Sequence, residues 1–388
     1  MRQGAPVRAS AVVSWRAGGE PELVEIELAP PRGEEILVDI EAVGVCHADV
    51  AANAGDFPVS FPVVLGHEGV GVVRDTGPEV RGLVAGDRVV LSYDSCGICK
   101  SCRAGRPTQC DHYMERNFPS GDRAWSGLRA AGSAIHGGFF GQSSFATVAR
   151  AHERNAVRVD TSLPASVLAP LGCGVQTGVG AVLNVARPWP GDSVVVVGLG
   201  AVGLSAVMAT LASGVSSVVA VDVDEDRLEL ARELGVRVAI NAGHGDWAST
   251  VRDVLGAGVD IAIECSGSPD AFGSVIECLR AGGTAVVAGA PAFGATSPLD
   301  IAAVVNKSLS IHGTVEGNSR SAEMVPFLVG VIESGRLPID RLVTEFAFAE
   351  VRAALDGMGR GSQIKPVLVM PVPQRSLTTS TTTRDRRD

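Results

Sequence analysis

Short runs in which apolar and polar residues alternate fill the chain from Val7 to about Val90, as at 36–42 and 69–74, broken by Gly and Pro. That period of two predicts a mostly-β half with almost no helical periodicity. From about Ser193 the rhythm changes. Continuous apolar runs at 194–197 and 218–221, all valine but for Ala220, flank an apolar helix predicted at 204–211, and an amphipathic helix follows at 224–234. Strands are expected near 260–264 and 284–288, separated by a helical stretch at 270–280. Strand alternating with helix predicts a parallel sheet covered on both faces. Beyond His312 the pattern gives helices around 321–334 and 349–358 and a last strand at 366–370, expected to rejoin the first domain. Residues 374–388 are rich in Thr, Arg and Asp with one leucine, too little apolar surface to offset the entropy of ordering, so a disordered tail is expected.

A chain of 388 residues has room for two cores, and 46% hydrophobic with 20% charged residues suits a globular α/β protein. The formal net charge of −10 repels phosphate backbones and anionic lipid heads, so a small-molecule substrate is expected and neither nucleic acid nor membrane is an expected partner. The uncharged run 193–221 is long enough to span a bilayer. However, Gly198, Gly200, Gly203 and Gly214 cut it into strand, turn, helix and strand, which reads as a buried βαβ unit. No apolar stretch follows the two N-terminal arginines as a signal peptide would need. Eight cysteines without an export signal point to a reducing, cytoplasmic setting in which clustered thiols hold metal.

Gly198-Leu199-Gly200-Ala201-Val202-Gly203 follows one predicted strand and opens a helix, the context in which G-x-G-x-x-G binds a dinucleotide pyrophosphate. Asp222 ends the next strand nineteen residues after Gly203. A carboxylate there accepts hydrogen bonds from the adenosine ribose and repels a 2′-phosphate, which favours NAD over NADP. The competing reading is a glycine-rich turn beside a surface aspartate.

Cys96, Cys99, Cys102 and Cys110 place four thiols within fifteen residues, flanked by Gly97, Gly105 and Pro107. Four thiolates close a tetrahedral shell, so this set reads as a structural zinc site, against the alternative of four buried free cysteines. A second set is dispersed: Cys46 in Gly-Val-Cys-His-Ala-Asp, His67 in Gly-His-Glu, and Cys173 in Leu-Gly-Cys-Gly-Val-Gln-Thr-Gly. Two thiolates and one imidazole leave a fourth position open, as a catalytic zinc needs. Asp49 and Glu68 are placed to orient the imidazole and tune the metal. Two zinc ions per chain are therefore expected. Cys265 and Cys278 fall in predicted sheet and helix and read as apolar core thiols, while Phe57, Tyr93, Phe139 and Phe140 are candidate pocket walls.

Over nearly its whole length the sequence resembles the zinc-containing medium-chain alcohol dehydrogenases. It is most similar to their aryl or benzyl alcohol branch, through Gly-Phe-Phe-Gly-Gln-Ser-Ser-Phe-Ala at 138–146, Leu-Gly-Cys-Gly-Val-Gln-Thr-Gly at 171–178 and Ile-Lys-Pro-Val at 364–367. The resemblance implies an α/β protein with a mostly-β GroES-like catalytic domain at 1–174 and a doubly wound parallel-sheet Rossmann domain at 175–312. Residues 313–373 would return to the catalytic domain. It also implies a catalytic zinc on Cys46, His67 and Cys173 with Asp49 and Glu68 behind them, and a structural zinc on the clustered cysteines. His47 and Lys365 would set cations against the pyrophosphate, with Thr177 and Val202 near the nicotinamide; Gly198, Gly200, Gly203, Asp222 and Arg227 complete the cofactor candidates. A homodimer or homotetramer is implied as well.

Such a zinc acts as a Lewis acid on an alcohol or carbonyl oxygen while a hydride passes to or from the nicotinamide. The family usually carries a Ser or Thr two residues after the first cysteine ligand, and often a His five residues after it, to move the alcohol proton. Here these are Ala48 and Ala51, neither able to relay a proton. Three readings follow: alcohol–aldehyde interconversion, with water, His47 or the cofactor ribose carrying the proton; reduction of a conjugated C=C or C=N bond; or a non-catalytic NAD-binding scaffold.

Overall fold

A computed structural model describes residues 5–120 and 127–371; the tail expected at 374–388 lies outside the described residues. The first half is built on two sheets. One is antiparallel, in the order Val63–Val64, Val7–Ser14, Glu22–Leu28, Leu128–Ala130, Ser133–Ile135. The other has Glu35–Gly44 at its centre, paired antiparallel with Glu68–Thr76 and Val148–His152 and, at its far end, with Lys365–Val369. Val343–Ala347 lies parallel to that last strand. The chain's end thus supplies two strands to a sheet begun by residue 35, which brings Lys365 beside the metal-ligand candidates. Alternation holds at Ile26 and Leu28, buried on one face of their strand, whereas Ile36, Leu37 and Val38 of the central strand are buried in succession, and all five join Val43 and Phe145 in one cluster.

The expectation of almost no helix before Val90 needs one correction. His47–Ala54 is an α-helix, and its eight residues include four alanines, too weak an apolar face to register as a period. Its start is set instead by hydrogen bonding: the Asp49 carboxylate accepts from the Cys46 backbone N–H at 2.9 Å, half of a capping box worth about 1 kcal/mol.

The second unit is a six-stranded sheet in the order Val238–Asn241, Ser217–Asp222, Ser193–Val197, Val259–Glu264, Leu279–Val287, Ser310–Gly313, every pair parallel. Counted from Ser193–Val197 this is 3-2-1-4-5-6, with the order reversing between Ser193–Val197 and Val259–Glu264. Ligands of such sheets bind in the crevice outside the strand ends at that reversal. The helices Ala201–Ala212, Glu225–Glu233, Trp247–Leu255 and Pro269–Cys278 alternate with the strands. Ser193–Val197 is buried at every position, as a strand covered on both faces must be.

Among the described residues no single helix is long and apolar enough to cross a membrane. The helical pair Ala165–Gly172 and Gly174–Ala186 is apolar but bent by 57°, and Val167, Leu168, Leu171, Val175 and Val179 sit in a core cluster that continues into Val194, Val196 and Leu204 of the parallel sheet unit. This shared core fixes the helix after Cys173 against the helix after the glycine turn. Cys278 is buried and Cys265 packs partly buried against the core, and burial raises both thiols, Cys278 to about 12.

Candidate active site

Cys46, His67, Glu68 and Cys173 each bring one ligand-type atom into a group whose members all lie within 4.8 Å of one another. Cys46 caps the helix His47–Ala54, His67 precedes the strand Glu68–Thr76, and Cys173 precedes the helix Gly174–Gly180. Fully buried Asp49 ties the first two together. One oxygen accepts from Cys46 N; the other accepts from Gly66 N at 3.0 Å and lies 3.0 Å from His67 Nδ1. A carboxylate only accepts, so Nδ1 carries a proton and Nε2 is the nitrogen left for a metal. Burial opposes a charge on the ring, but Asp49 and Cys46 more than offset this and hold the imidazole well above its ordinary range. His67 Nε2 is buried without a hydrogen-bond partner. An orphaned imidazole nitrogen facing two thiols is the donor set of an open zinc site, and here it fits.

The electrostatics agree. A hydrogen bond from Cys173 holds the Cys46 thiol well below the usual value against the opposing effect of burial, and Cys173 is pushed well above it. Two thiols this close share a proton when alone, and both ionise only with a cation between them.

Glu68 does not orient the imidazole as expected; Asp49 alone does. Its oxygens instead lie 2.8 and 2.9 Å from Lys365 Nζ, and Oε1 accepts from Gly174 N at 3.1 Å. Lys365 is correspondingly not a cation turned to the pyrophosphate. It is 1% exposed, with Nζ bonded to Glu68 and to the Val45 carbonyl. Burial opposes its charge, but Glu68 and Cys46 more than offset this and hold the ammonium above its ordinary range. A charged pair at this depth neutralises itself and locks three ligand-bearing segments in register.

Cys96, Cys99, Cys102 and Cys110 form the second cluster, also within 4.8 Å. Backbone N–H groups of Cys96, Ile98, Cys99, Cys102 and His112 point at its sulfurs at 3.3–3.5 Å, stabilising thiolates around a metal. Arg154 donates to the Cys96 carbonyl at 2.9 Å and fastens this lobe to the catalytic domain.

At the crevice Gly198 has φ +85°, and a Cβ on Gly203 would overlap the Gly198 carbonyl, so both positions require glycine. A Cβ on Gly200 would meet nothing within 4 Å, which leaves backbone open to a phosphate at a twelve-residue helix's start. This cradle fits a dinucleotide. Asp222, 7% exposed, accepts from Leu199 N and, at 2.8 and 3.0 Å, from Val223 N and Asp224 N. The Arg227 guanidinium lies 4.0 Å from it, donates to the Gly361 carbonyl at 2.6 Å, and keeps a buried, unpartnered Nε. Thr177 donates to the Cys173 carbonyl at 2.7 Å on a helix that packs against the one carrying Val202. His47 is exposed on its helix's first turn; Ala48 and Ala51 are half-buried against the core.

Phe140 stacks on the His67 ring at 4.5 Å between centroids, and Phe139 meets it edge-on at 5.4 Å. Phe57 lies beyond, edge-on to Phe118 at 5.4 Å. The Tyr93 hydroxyl donates to the Ser319 carbonyl at 2.6 Å.

Three further groups escaped sequence reasoning. Gln142 accepts from Gly69 N at 3.0 Å and donates to the His67 carbonyl at 2.8 Å, bracing the ligand's backbone. Gln176 donates at 2.9 Å to Glu316, whose carboxyl is pushed up to about 7 by burial near Cys173. Phe118 and Phe293 extend the aromatic wall. The quoted motifs contain both glutamines, yet Gly69, His67 and Glu316 lie 73, 75 and 140 residues from them and no local pattern announces those contacts.

Residues 32–161 match the alcohol dehydrogenase GroES-like domain family and residues 201–330 the zinc-binding dehydrogenase family. The geraniol dehydrogenase of Castellaniella defragrans is 39% identical over 366 residues, 94% of this chain and 98% of that protein. An alcohol dehydrogenase zinc-binding domain protein from Burkholderia ambifaria superposes with a TM-score of 0.91 at 40% identity, over 95% of this chain and 100% of that one. Benzyl alcohol dehydrogenase from Acinetobacter calcoaceticus gives 0.90 at 37%, over 94% and 100%. With two thiols and an imidazole converging beside a dinucleotide cradle, the chain is an enzyme of the zinc-dependent medium-chain alcohol dehydrogenase family, with zinc and a nicotinamide dinucleotide as its cofactors.

Proposed function

We propose that this enzyme interconverts aryl or allylic primary alcohols and their aldehydes with NAD. The observation that carries the reading is the Phe140 ring stacked on the ligand His67, with Phe139 edge-on to it, because it puts flat apolar wall directly beside the metal position. The relatives named for geraniol and benzyl alcohol, one allylic and one aryl, support the same class. When bound, zinc supplies Lewis acidity to the substrate oxygen and the nicotinamide accepts or returns the hydride.

The chain's own residues do the rest. Asp49 keeps the His67 ring in its ligating tautomer; the Glu68–Lys365 pair holds the Cys46 and Cys173 segments together; the aromatic wall orients the π-system and excludes water. Thr177 and Val202 border the nicotinamide position, and Asp222 with Arg227 the adenosine ribose. Asp222 supports NAD over NADP, since a 2′-phosphate would meet its charge.

We further read the protein as a cytoplasmic homo-oligomer, a dimer or tetramer, acting on a small molecule with no nucleic-acid or membrane partner. Eight cysteines free of disulfides among the described residues suit a reducing compartment.

Incubation with NADH and cinnamaldehyde, followed by product identification, tests the reaction type. Cinnamyl alcohol is expected. The saturated aldehyde would mean conjugate reduction, and cofactor binding without turnover would remove aryl and allylic aldehydes from the substrates.

A further inference from the structure

Phe293 belongs to the loop between Leu279–Val287 and Ile301–Asn306 of the parallel-sheet unit, yet its ring partners belong to the catalytic domain. It stands edge-on to Phe57 at 5.5 Å and to Phe118 at 6.5 Å between centroids. Those two are nearly buried, at 9% and 7%, whereas Phe293 leaves 59% of its surface exposed. The rings form a ladder outward from the metal position: His67 to Phe140 at 4.5 Å, Phe140 to Phe118 at 5.4 Å, Phe118 to Phe293. Its last rung alone comes from the cofactor-binding side of the cleft. An exposed apolar side chain is unremarkable alone, but this one continues a row of rings that begins at the ligand His67, and its free face is the apolar surface at the end of that row.

We propose that Phe293 is a specificity-determining residue that clasps the distal apolar end of the substrate, so that the ladder's outermost ring sets how strongly chain length is rewarded. A substrate whose oxygen lies among Cys46, His67 and Cys173 and whose body follows the ring wall reaches Phe293 only when its apolar part extends beyond the first rings. A ten-carbon allylic alcohol makes this contact and a three-carbon one does not. The assignment rests on the aryl or allylic reading above.

The test uses the zinc-loaded enzyme and its Phe293→Ala and Phe293→Leu variants. The kcat/KM ratio of geraniol to allyl alcohol should fall about tenfold in Phe293→Ala, the worth of some tens of Å² of lost apolar contact, and recover in large part in Phe293→Leu. Independently of turnover, octanamide and propanamide serve as unreactive stand-ins for the aldehydes, their binding to the enzyme–NADH complex followed by NADH fluorescence. The alanine variant should lose about tenfold of the preference for octanamide. An unchanged preference in both measurements, an equal loss for long and short ligands, or no length preference in the wild type would overturn the assignment. If the wild type oxidises neither geraniol nor benzyl alcohol but the alanine variant still loses octanamide selectively, the reaction reading falls and the clasp stands.

Discussion

Position 48 carries a methyl group half-buried against the core, one residue from the exposed His47 ring. A hydroxyl there would link the substrate oxygen to His47 or solvent through donors and acceptors that alanine lacks. Ala48→Ser should therefore raise kcat for benzyl alcohol oxidation, with a ceiling of about a hundredfold typical of positioned acid–base groups. A wild-type enzyme already fast and indifferent to the substitution would show that the missing hydroxyl limits nothing. Asp222 has a double role, because the carboxylate that would meet the ribose also accepts three backbone N–H groups and faces Arg227 at 4.0 Å. Asp222→Gly removes a repelling charge and frees that guanidinium for a 2′-phosphate. The kcat/KM ratio of NADP to NAD should rise at least about tenfold, ~1.4 kcal/mol; an unchanged ratio in steady-state kinetics would take Asp222 out of cofactor selection.

The elements holding the metal ligands differ in how they show themselves in sequence. The thiol cluster and the glycine turn are local words, read because spacing alone dictates a closed shell or a tight turn. The helix His47–Ala54 is not: four alanines give no apolar period, and its start depends on Asp49, whose three partners come from two loops. The family resemblance alone makes Lys365 a cation against the pyrophosphate; its partner in the structure, Glu68, lies 297 residues away and is found only when the last strand joins the sheet. Asp49→Asn keeps the shape but cannot hold the His67 tautomer equally well. It should cut zinc affinity at the Cys46–His67–Cys173 site about 10–100-fold and leave the four-cysteine site intact. Elemental analysis of the wild type should find two zinc ions per chain, and mild chelation should strip one of them faster from the variant; loss of both together, or a wild-type content of one, would contradict the two-site description.

Across the whole molecule, the strand Ser310–Gly313 ends the parallel sheet with all four residues exposed, beside Ile301, Val305 and Val315, which are 72%, 69% and 47% exposed. An open edge flanked by apolar side chains invites pairing with a second copy, which would extend the sheet. Light scattering at micromolar concentration should give a dimeric or tetrameric mass, shifted toward monomer by Val305→Glu; a monomeric wild type would refute the oligomer. At the same scale, the two units share a core, so that a metal on the ligands of one and a dinucleotide on the glycine turn of the other would face a single substrate. Hydride transfer from the carbinol carbon to the nicotinamide is the event this arrangement exists for. It is tested most directly with benzyl alcohol carrying two deuteriums on that carbon. One deuterium should appear at C4 of the NADH formed, with the second retained in benzaldehyde and a rate lowered by the isotope wherever this step limits turnover. NADH formed without deuterium, or no NADH from aryl and allylic alcohols in the fully zinc-loaded enzyme, would contradict the account.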